Sequence, residues 1–346
     1  MKTIAASAPA RVSLAGGGTD LPAYADRFGG AVVSFALDRY ATAQVAPRTD
    51  GLELLAPDHG EREFIPAPSA QRRLRPPILA EEHVLFQKAA ASHFRLDRAT
   101  ISATSDVPIG AGLASSGSLA VALAAAVGAM LGDPDDPTRI AEAAFRMESD
   151  LLGRPCGRQD QYASAFGGIN LIEFSADGTA VTPLRVDAEA VAARILLFTD
   201  GSKRDAAVPL RDQHARTSAD DPSTMSALHE LRAAAYQMGR LLEEGDLDGA
   251  GWLLHETWLR KVRLNDGMRS PRIAEAVLHA RAAGALGAKL AGAGGSGTLL
   301  VFAAEGSPDP IRSELAGLGW KELGCRVSHA GVTTRTITDG EEGRVG

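Results

Sequence analysis

The sequence predicts an α+β fold in two domains. The chain has 346 residues, more than one hydrophobic core usually supports. Apolar residues alternate with polar ones through most of the first half, whereas helical spacing dominates residues 204–283 and short strand patterns return near the end. We place the boundary in the turn-rich, acidic segment 174–194, which gives domains of residues 1–185 and 186–346.

The first domain begins with strand patterns. Residues 31–47 alternate over a long run, and shorter strands are predicted at 52–57 and 62–68, next to Asp50-Gly51 and His59-Gly60 turns. Helical spacing follows from Ile78, and a strand from Ala99.

Helices and strands alternate through the rest of the chain. We predict helices over 119–130 and 138–152, and strands over 167–174 and 194–201. Between 204 and 283, apolar residues recur at i, i+3 and i+4, which predicts helices. A strand over 298–304, then a helix and two strands, completes the prediction.

Composition excludes several functional classes. Lys plus Arg total 36 and Asp plus Glu total 43, a net charge of −7, which disfavours nucleic acid or an anionic membrane as partner. Two cysteines, Cys156 and Cys325, make no disulfide framework. The N-terminus has no signal-length apolar run, and the longest apolar stretch, 119–131, is too short to span a bilayer. These features favour a cytoplasmic protein.

A glycine- and serine-rich loop between a strand and a helix is the most informative motif. Glycines let backbone amides approach an anion, and a helix N-terminus adds unpaired N–H groups. The hydroxyl groups of Ser115, Ser116 and Ser118 are suited to phosphate or Mg²⁺, so a triphosphate is the natural ligand. A Walker loop does not fit because Gly117 is followed by serine and no lysine. An NAD-binding Rossmann enzyme is disfavoured because Ser115 stands at the third glycine position.

Two more glycine-rich loops follow apolar strands. One runs from Ser13 to Asp20, and the other contains Gly292, Gly294 and Gly295. Three such loops suggest convergence over a phosphorylated ligand.

Acidic residues in the middle of the chain could supply the remaining chemistry. Phosphoryl transfer needs a metal ligand near the phosphates and a carboxylate near the attacking hydroxyl. Glu148 and Asp160 are the candidates, and the polar neighbours Gln159 and Tyr162 are typical of a sugar pocket.

Together the three loops resemble the GHMP kinases, the superfamily of galactokinase, homoserine kinase, mevalonate kinase and phosphomevalonate kinase. APARVSLAGGGTD resembles its first motif, PIGAGLASSGS its phosphate-binding second motif and KLAGAGGSGTLL its third. The resemblance spans nearly the whole chain. It implies an N-terminal domain similar to domain 2 of ribosomal protein S5 and a ferredoxin-like C-terminal domain.

The resemblance also implies roles for individual residues. Ser116 and Glu148 would bind Mg²⁺, Asp160 would meet the attacking hydroxyl beside Arg11, and Asp20 would contact sugar hydroxyls. The ATP-binding residues would be those of the second motif: Gly110, Gly112, Leu113, Ala114, Ser115, Ser116, Gly117 and Ser118. The substrate-binding residues would be Gly17, Gly18, Thr19, Asp20, Gln159, Tyr162, Lys203, Arg204, Lys261, Gly294 and Gly295.

Two positions depart from the family pattern. Ala114 and Ser296 stand where the second and third motifs usually have glycine. A positive φ at Ala114 would cost on the order of 1 kcal/mol.

The substrate inferred from the resemblance is a sugar phosphate. The segments GGGTDLPAY, GRQDQYASAFGGIN, TDGSKRDA and LLHETWLRKVRL are most similar to the family branch that acts on heptose 7-phosphate. A free-sugar kinase of fucose or galactose type is one alternative. A silent nucleotide-binding regulator is another, but it should have lost Ser116, Glu148 or Asp160. The assembly is expected to be a monomer or homodimer.

Overall fold

The computed structural model describes residues 2–76, 78, 83–107, 110–133, 135–202, 207–264, 270–292 and 297–338. Its strands are β1 Thr3–Ala15, β2 Gly30–Pro47, β3 Gly51–Ala56, β4 Glu61–Pro66, β5 Ala99–Ser105, β6 Ile169–Ser175, β7 Gly178–Pro183, β8 Ile195–Thr199, β9 Ala285–Leu290, β10 Thr298–Ala303, β11 Lys321–Leu323 and β12 Thr333–Ile337. Its helices are α1 Pro22–Phe28, α2 Ala67–Arg73, α3 Leu85–His93, α4 Ser115–Leu131, α5 Pro137–Arg146, α6 Gln159–Phe166, α7 Ala188–Arg194, α8 Ala207–Ser218, α9 Pro222–Glu243, α10 Leu247–Leu264, α11 Pro271–Ala282 and α12 Pro308–Gly317.

Two sheets organise the described part of the chain, and the α+β prediction is confirmed. The larger sheet has the path β12-β1-β2-β5-β3-β4, with β6 also pairing with β2 and β7 with β6. The smaller sheet has the order β11-β8-β10-β9. The division at residue 185 stays a prediction, because β12 of the C-terminal half returns to pair with β1 from Thr3↔Ile337 to Ser7↔Thr333.

The long strand β2 explains how the two halves share a core. Residues 30–37 of β2 are all buried, because both faces of the sheet are covered there. Val32 packs into the core that contains α4, whereas Val33 and Phe35 pack into a second core that also contains Leu300 and Phe302 of β10. Alternate side chains of one strand therefore join the larger sheet to the smaller one.

Several predicted elements differ in extent. Helix α3 begins at Leu85, later than expected, and α4 begins at Ser115, earlier than expected. The helix predicted over 138–152 ends at Arg146 and continues as a single π-helical turn, Met147–Leu151. Short helices α6 and α7 were not predicted because each is too brief to show clear periodicity. Among the described helices, none is long and apolar enough to cross a membrane.

Candidate active site

The glycine-serine loop, described from Gly110, runs directly into the N-terminus of α4 at Ser115. Gly110, Gly112 and Ala114 have φ values of 86°, 78° and 63°, so these three alternate residues of the loop have a left-handed backbone conformation. Ala114 is the N-cap of α4 and provides no side-chain hydrogen bond. The N-terminus of α4 therefore has no side-chain cap from residue 114 and carries the partial positive charge of a 17-residue helix. This is a site for an anion.

Other residues of the loop fix its position. The side chain of Leu113 is buried in the shared core, and its carbonyl accepts a hydrogen bond from the Arg11 backbone at 3.1 Å. The Ser118 hydroxyl donates to the Ser115 carbonyl within α4 at 3.2 Å, so it is used inside the helix. Only Ser116 of the three serines is partly exposed.

Gly117 brings α6 against the start of α4. A Cβ at this position would lie 2.7 Å from the Cβ of Asp160, closer than real contacts allow. The absence of a side chain therefore lets the Asp160 backbone approach the helix N-terminus.

Glu148 lies on the π-helical turn and is 3% exposed. Its Oε1 accepts a hydrogen bond of 2.7 Å from Gln161 Nε2, and Ser116 supplies another. Burial raises the pKa of Glu148 to about 7, although both hydrogen bonds oppose the shift.

This buried carboxylate beside a serine hydroxyl fits a hard cation. The Oε1 atom of Gln161 is buried without a hydrogen-bond partner, so polar capacity remains beside the carboxylate. No group of three or more His, Cys, Asp or Glu side chains within the described ranges could hold a metal. Mg²⁺ suits such a sparse donor set, because it usually takes one or two carboxylates and completes its shell with phosphate oxygens and water.

Arg11 and Asp160 form an ion pair across the site. Arg11 is 3% exposed, and its Nε donates to Asp160 Oδ1 at 2.9 Å while a terminal nitrogen contacts the same oxygen. Its other terminal nitrogen donates to the Gly112 carbonyl at 3.3 Å. Gln159 Nε2 also donates to Asp160 Oδ1, at 3.3 Å. In the described chain, Asp160 Oδ2 makes no hydrogen bond and remains available.

Asp20 is a second carboxylate near this pair. It is 7% exposed and accepts hydrogen bonds from the backbone N–H groups of Gly18 at 3.1 Å and Gln159 at 3.2 Å. Burial raises the pKa of Asp20, and the negative charge of Asp160 adds to the shift. Gly157 permits this packing, since a Cβ there would lie 1.9 Å from Asp20 Oδ2.

These groups line one polar pocket beside the glycine-serine loop. The Oε1 atom of Gln159 is buried without a hydrogen-bond partner, so it is free to accept from a ligand. The pocket residues are Arg11, Ser13, Gly17, Gly18, Asp20, Leu21, Cys156, Gly157, Gln159, Asp160, Gln213, Lys261 and Gly292.

Two predicted substrate-binding side chains face away from this pocket. Thr19 is fully buried, and its hydroxyl donates to the carbonyls of Gly16 at 2.9 Å and Ala31 at 3.0 Å. Tyr162 is packed in the hydrophobic core that contains α4, and its hydroxyl donates to Glu142 at 2.8 Å. The predicted residues Lys203, Arg204, Gly294 and Gly295 lie outside the described residues.

Lys261 on α10 brings a positive charge to the pocket. Its Nζ donates to the Gly292 carbonyl at 2.8 Å. Burial lowers the pKa of Lys261 to about 8, and the charge of Arg11 contributes, whereas Asp20 and Asp160 oppose the shift.

Sequence reasoning missed other residues of the site. Ser13, Gly157 and Gln213 line the pocket, and Gln213 donates to the Gly18 carbonyl at 2.9 Å. Lys289 lies behind the pocket and donates to the Ser13 carbonyl at 2.8 Å. The only available signal for Lys289 was its place as the first residue of the third glycine motif.

Known proteins match the chain over most of its length. Residues 82–168 match the family described as GHMP kinases N terminal domain. The D-glycero-alpha-D-manno-heptose 7-phosphate kinase of Campylobacter jejuni is 28% identical over 314 residues, covering 87% of this chain and 90% of that enzyme. The L-fucokinase/L-fucose-1-P guanylyltransferase of Bacteroides fragilis is 28% identical over 325 residues, covering 85% of this chain but 34% of that protein.

A solved structure has the same fold. The crystal structure of a D-glycero-D-manno-heptose 1-phosphate kinase from Bacteroides thetaiotaomicron superposes with a TM-score of 0.78 at 22% identity. The match covers 97% of this chain and all of that one. At this identity the likeness shows a shared architecture.

Proposed function

We propose that this chain, which belongs to the GHMP kinases and is a sugar kinase, phosphorylates D-glycero-D-manno-heptose 7-phosphate at its anomeric hydroxyl to give the 1,7-bisphosphate. The similarity to the Campylobacter jejuni enzyme over 87% of the chain supports this substrate. ATP is the phosphoryl donor of the family, and Mg²⁺ is proposed as its partner.

The observation that carries the proposal is the acceptor-rich pocket beside the phosphate loop. Asp20, the free Oδ2 of Asp160 and the unpartnered Oε1 of Gln159 are hydrogen-bond acceptors. Sugar hydroxyl groups are donors, so a polyhydroxylated ligand fits them better than an isoprenoid alcohol does.

The chain's residues suit in-line transfer to a hydroxyl. The α4 N-terminus and the loop hold the ATP phosphates, while Ser116 and Glu148 would hold Mg²⁺, which neutralises phosphate charge. Asp160 orients the anomeric hydroxyl through Oδ2 and is placed to accept its proton. Arg11 fixes the Asp160 carboxylate through Oδ1 and also stabilises developing charge.

The phosphate already on the sugar needs a cationic clamp away from ATP. Lys203 and Arg204 remain the predicted residues for this clamp, because they follow the strand-terminal TDG turn.

Kinetic comparison of heptose 7-phosphate with the free heptose tests the substrate. We expect kcat/KM, measured by ADP release, to strongly favour the phosphate, with the preference lost in Arg204→Ala and ATP affinity retained. Equal use of the free sugar, fucose or galactose would refute the heptose phosphate assignment. ATP binding without turnover on any sugar would instead indicate a nucleotide-binding regulator without catalytic activity.

A further inference from the structure

Two lysines from the C-terminal half lie next to the pocket, Lys261 half-buried and Lys289 buried. Lys261 lines it from α10, and Lys289 lies behind it on β9 with 5% exposure. Each makes one hydrogen bond, to the carbonyls of Gly292 and Ser13 respectively, both at 2.8 Å. In the described chain neither ammonium has a carboxylate within 4 Å.

This arrangement is electrostatically unfavourable without a ligand. Burial, Lys261 and Arg11 all lower the pKa of Lys289 well below its ordinary value. Arg11 forms an ion pair with Asp160, whereas neither lysine forms one within the described residues, and Asp20 and Asp160 offset only part of the lowering of the Lys261 pKa. A buried cation that keeps unused N–H donors destabilises a fold unless an anion joins it.

The glycine loops show where an anion would meet Lys261. The carbonyl that holds Lys261 belongs to Gly292, where a Cβ would lie 2.8 Å from the Cα of Gly112 in the phosphate loop. A Cβ at Gly17 would lie 3.6 Å from Lys261 Nζ. Lys261 therefore lies where the first and third glycine motifs meet the glycine-serine loop before α4.

We propose that Lys261 contacts the phosphoryl group as it passes from ATP to the sugar, and that Lys289 positions Lys261 by supporting the first glycine loop from behind. The bond from the γ-phosphorus to the bridging oxygen breaks, and a bond to the sugar oxygen forms. The hydroxyl proton passes to Asp160, and Lys261 keeps its own proton. Lys261 thus acts at the transfer end and does not clamp the remote phosphate. The inference rests on the proposed transfer to a sugar but not on which sugar is used.

The Lys261→Met variant tests whether Lys261 contacts the transferred phosphoryl group or the phosphate already on the sugar. We expect kcat to fall about 10²-fold to 10³-fold, as for other donors that stabilise transition-state charge, with the sugar KM and ATP affinity within a few-fold. An increase in the KM for the phosphorylated sugar at unchanged kcat would place Lys261 at the remote phosphate and overturn the proposal. If heptose 7-phosphate proves not to be the substrate, the same test applies to the sugar that the wild type does use.

The pH dependence of Lys261→Arg gives a second readout. The groups facing Lys261 are Arg11, Asp20, Asp160 and Lys289. Because the ammonium form is required, wild-type kcat/KM should decline as pH rises through about 8, the pKa of Lys261. A guanidinium keeps its proton, so Lys261→Arg should retain partial activity and lose this decline. An unchanged alkaline limb in Lys261→Arg would overturn the proposal.

Lys289→Met tests the positioning role. We expect a lower kcat at nearly unchanged sugar KM, because the Ser13 carbonyl loses the hydrogen bond that Lys289 donates. Lys289→Arg should recover part of kcat. Lys321→Met, an exposed lysine on the edge strand β11, is the matched control and should change neither. Lower stability with unchanged kcat would show that Lys289 is only structural.

Discussion

Ala114→Gly should stabilise the protein, although glycine usually weakens helices. Ala114 has φ 63° and ψ 32°, a left-handed conformation that costs an alanine about 1–2 kcal/mol. Glycine removes that cost but makes the unfolded chain more flexible, which opposes it by about 0.4–1 kcal/mol. We therefore expect the free energy of unfolding to rise by about 0.5–1 kcal/mol.

A matched substitution on the same helix should change the free energy of unfolding in the opposite direction. Ala129 lies near the end of α4 in ordinary helical conformation, where alanine to glycine costs about 1 kcal/mol. Urea unfolding of both variants, monitored by circular dichroism, measures the difference between them. The loss of the Ala114 Cβ also widens the loop, so ATP affinity should be no weaker than in the wild type. Destabilisation of Ala114→Gly as large as that of Ala129→Gly would refute the strain argument.

Three further substitutions probe the site. Ser116→Ala should lower MgATP turnover by orders of magnitude with an unchanged circular dichroism spectrum, and unchanged turnover would remove Ser116 from the metal site. Asp160→Asn should abolish most turnover while ATP affinity, measured by calorimetry, stays within a few-fold; an equal loss of ATP binding would make the residue nucleotide-facing. Gly17→Ala should raise the sugar KM by roughly tenfold at constant ATP affinity. Its Cβ would enter the pocket 3.1 Å from Ser13 Oγ, and an unchanged KM would place the sugar elsewhere.

The sequence was sufficient to predict the fold class and several central elements. The strand over 31–47 is confirmed as β2, and the strand-loop-helix around Ser116 is confirmed, because long alternating or helical patterns depend mainly on local sequence. The possible positive φ at Ala114 is also observed, with φ 63°. The pairing of Arg11 with Asp160 was implied by the family resemblance and lies in the structure at 2.9 Å.

The remaining features depend on contacts between distant segments. The inward direction of Tyr162 follows from core packing, which a polar neighbourhood in the sequence conceals. Gln213 and Lys289 reach the site only because α8 and β9 pack beside the first glycine loop. No local sequence pattern distinguishes a strand lysine that lies behind a pocket from any other lysine in a strand, so such residues could not be predicted.

Product identification by ³¹P nuclear magnetic resonance shows which hydroxyl of the sugar receives the phosphate. The wild-type protein is incubated with ATP, Mg²⁺ and D-glycero-D-manno-heptose 7-phosphate. We expect equal amounts of ADP and a sugar carrying a second phosphate, whose new signal couples to the anomeric proton. ADP without a new sugar phosphate, or a phosphate on any other hydroxyl, would contradict it.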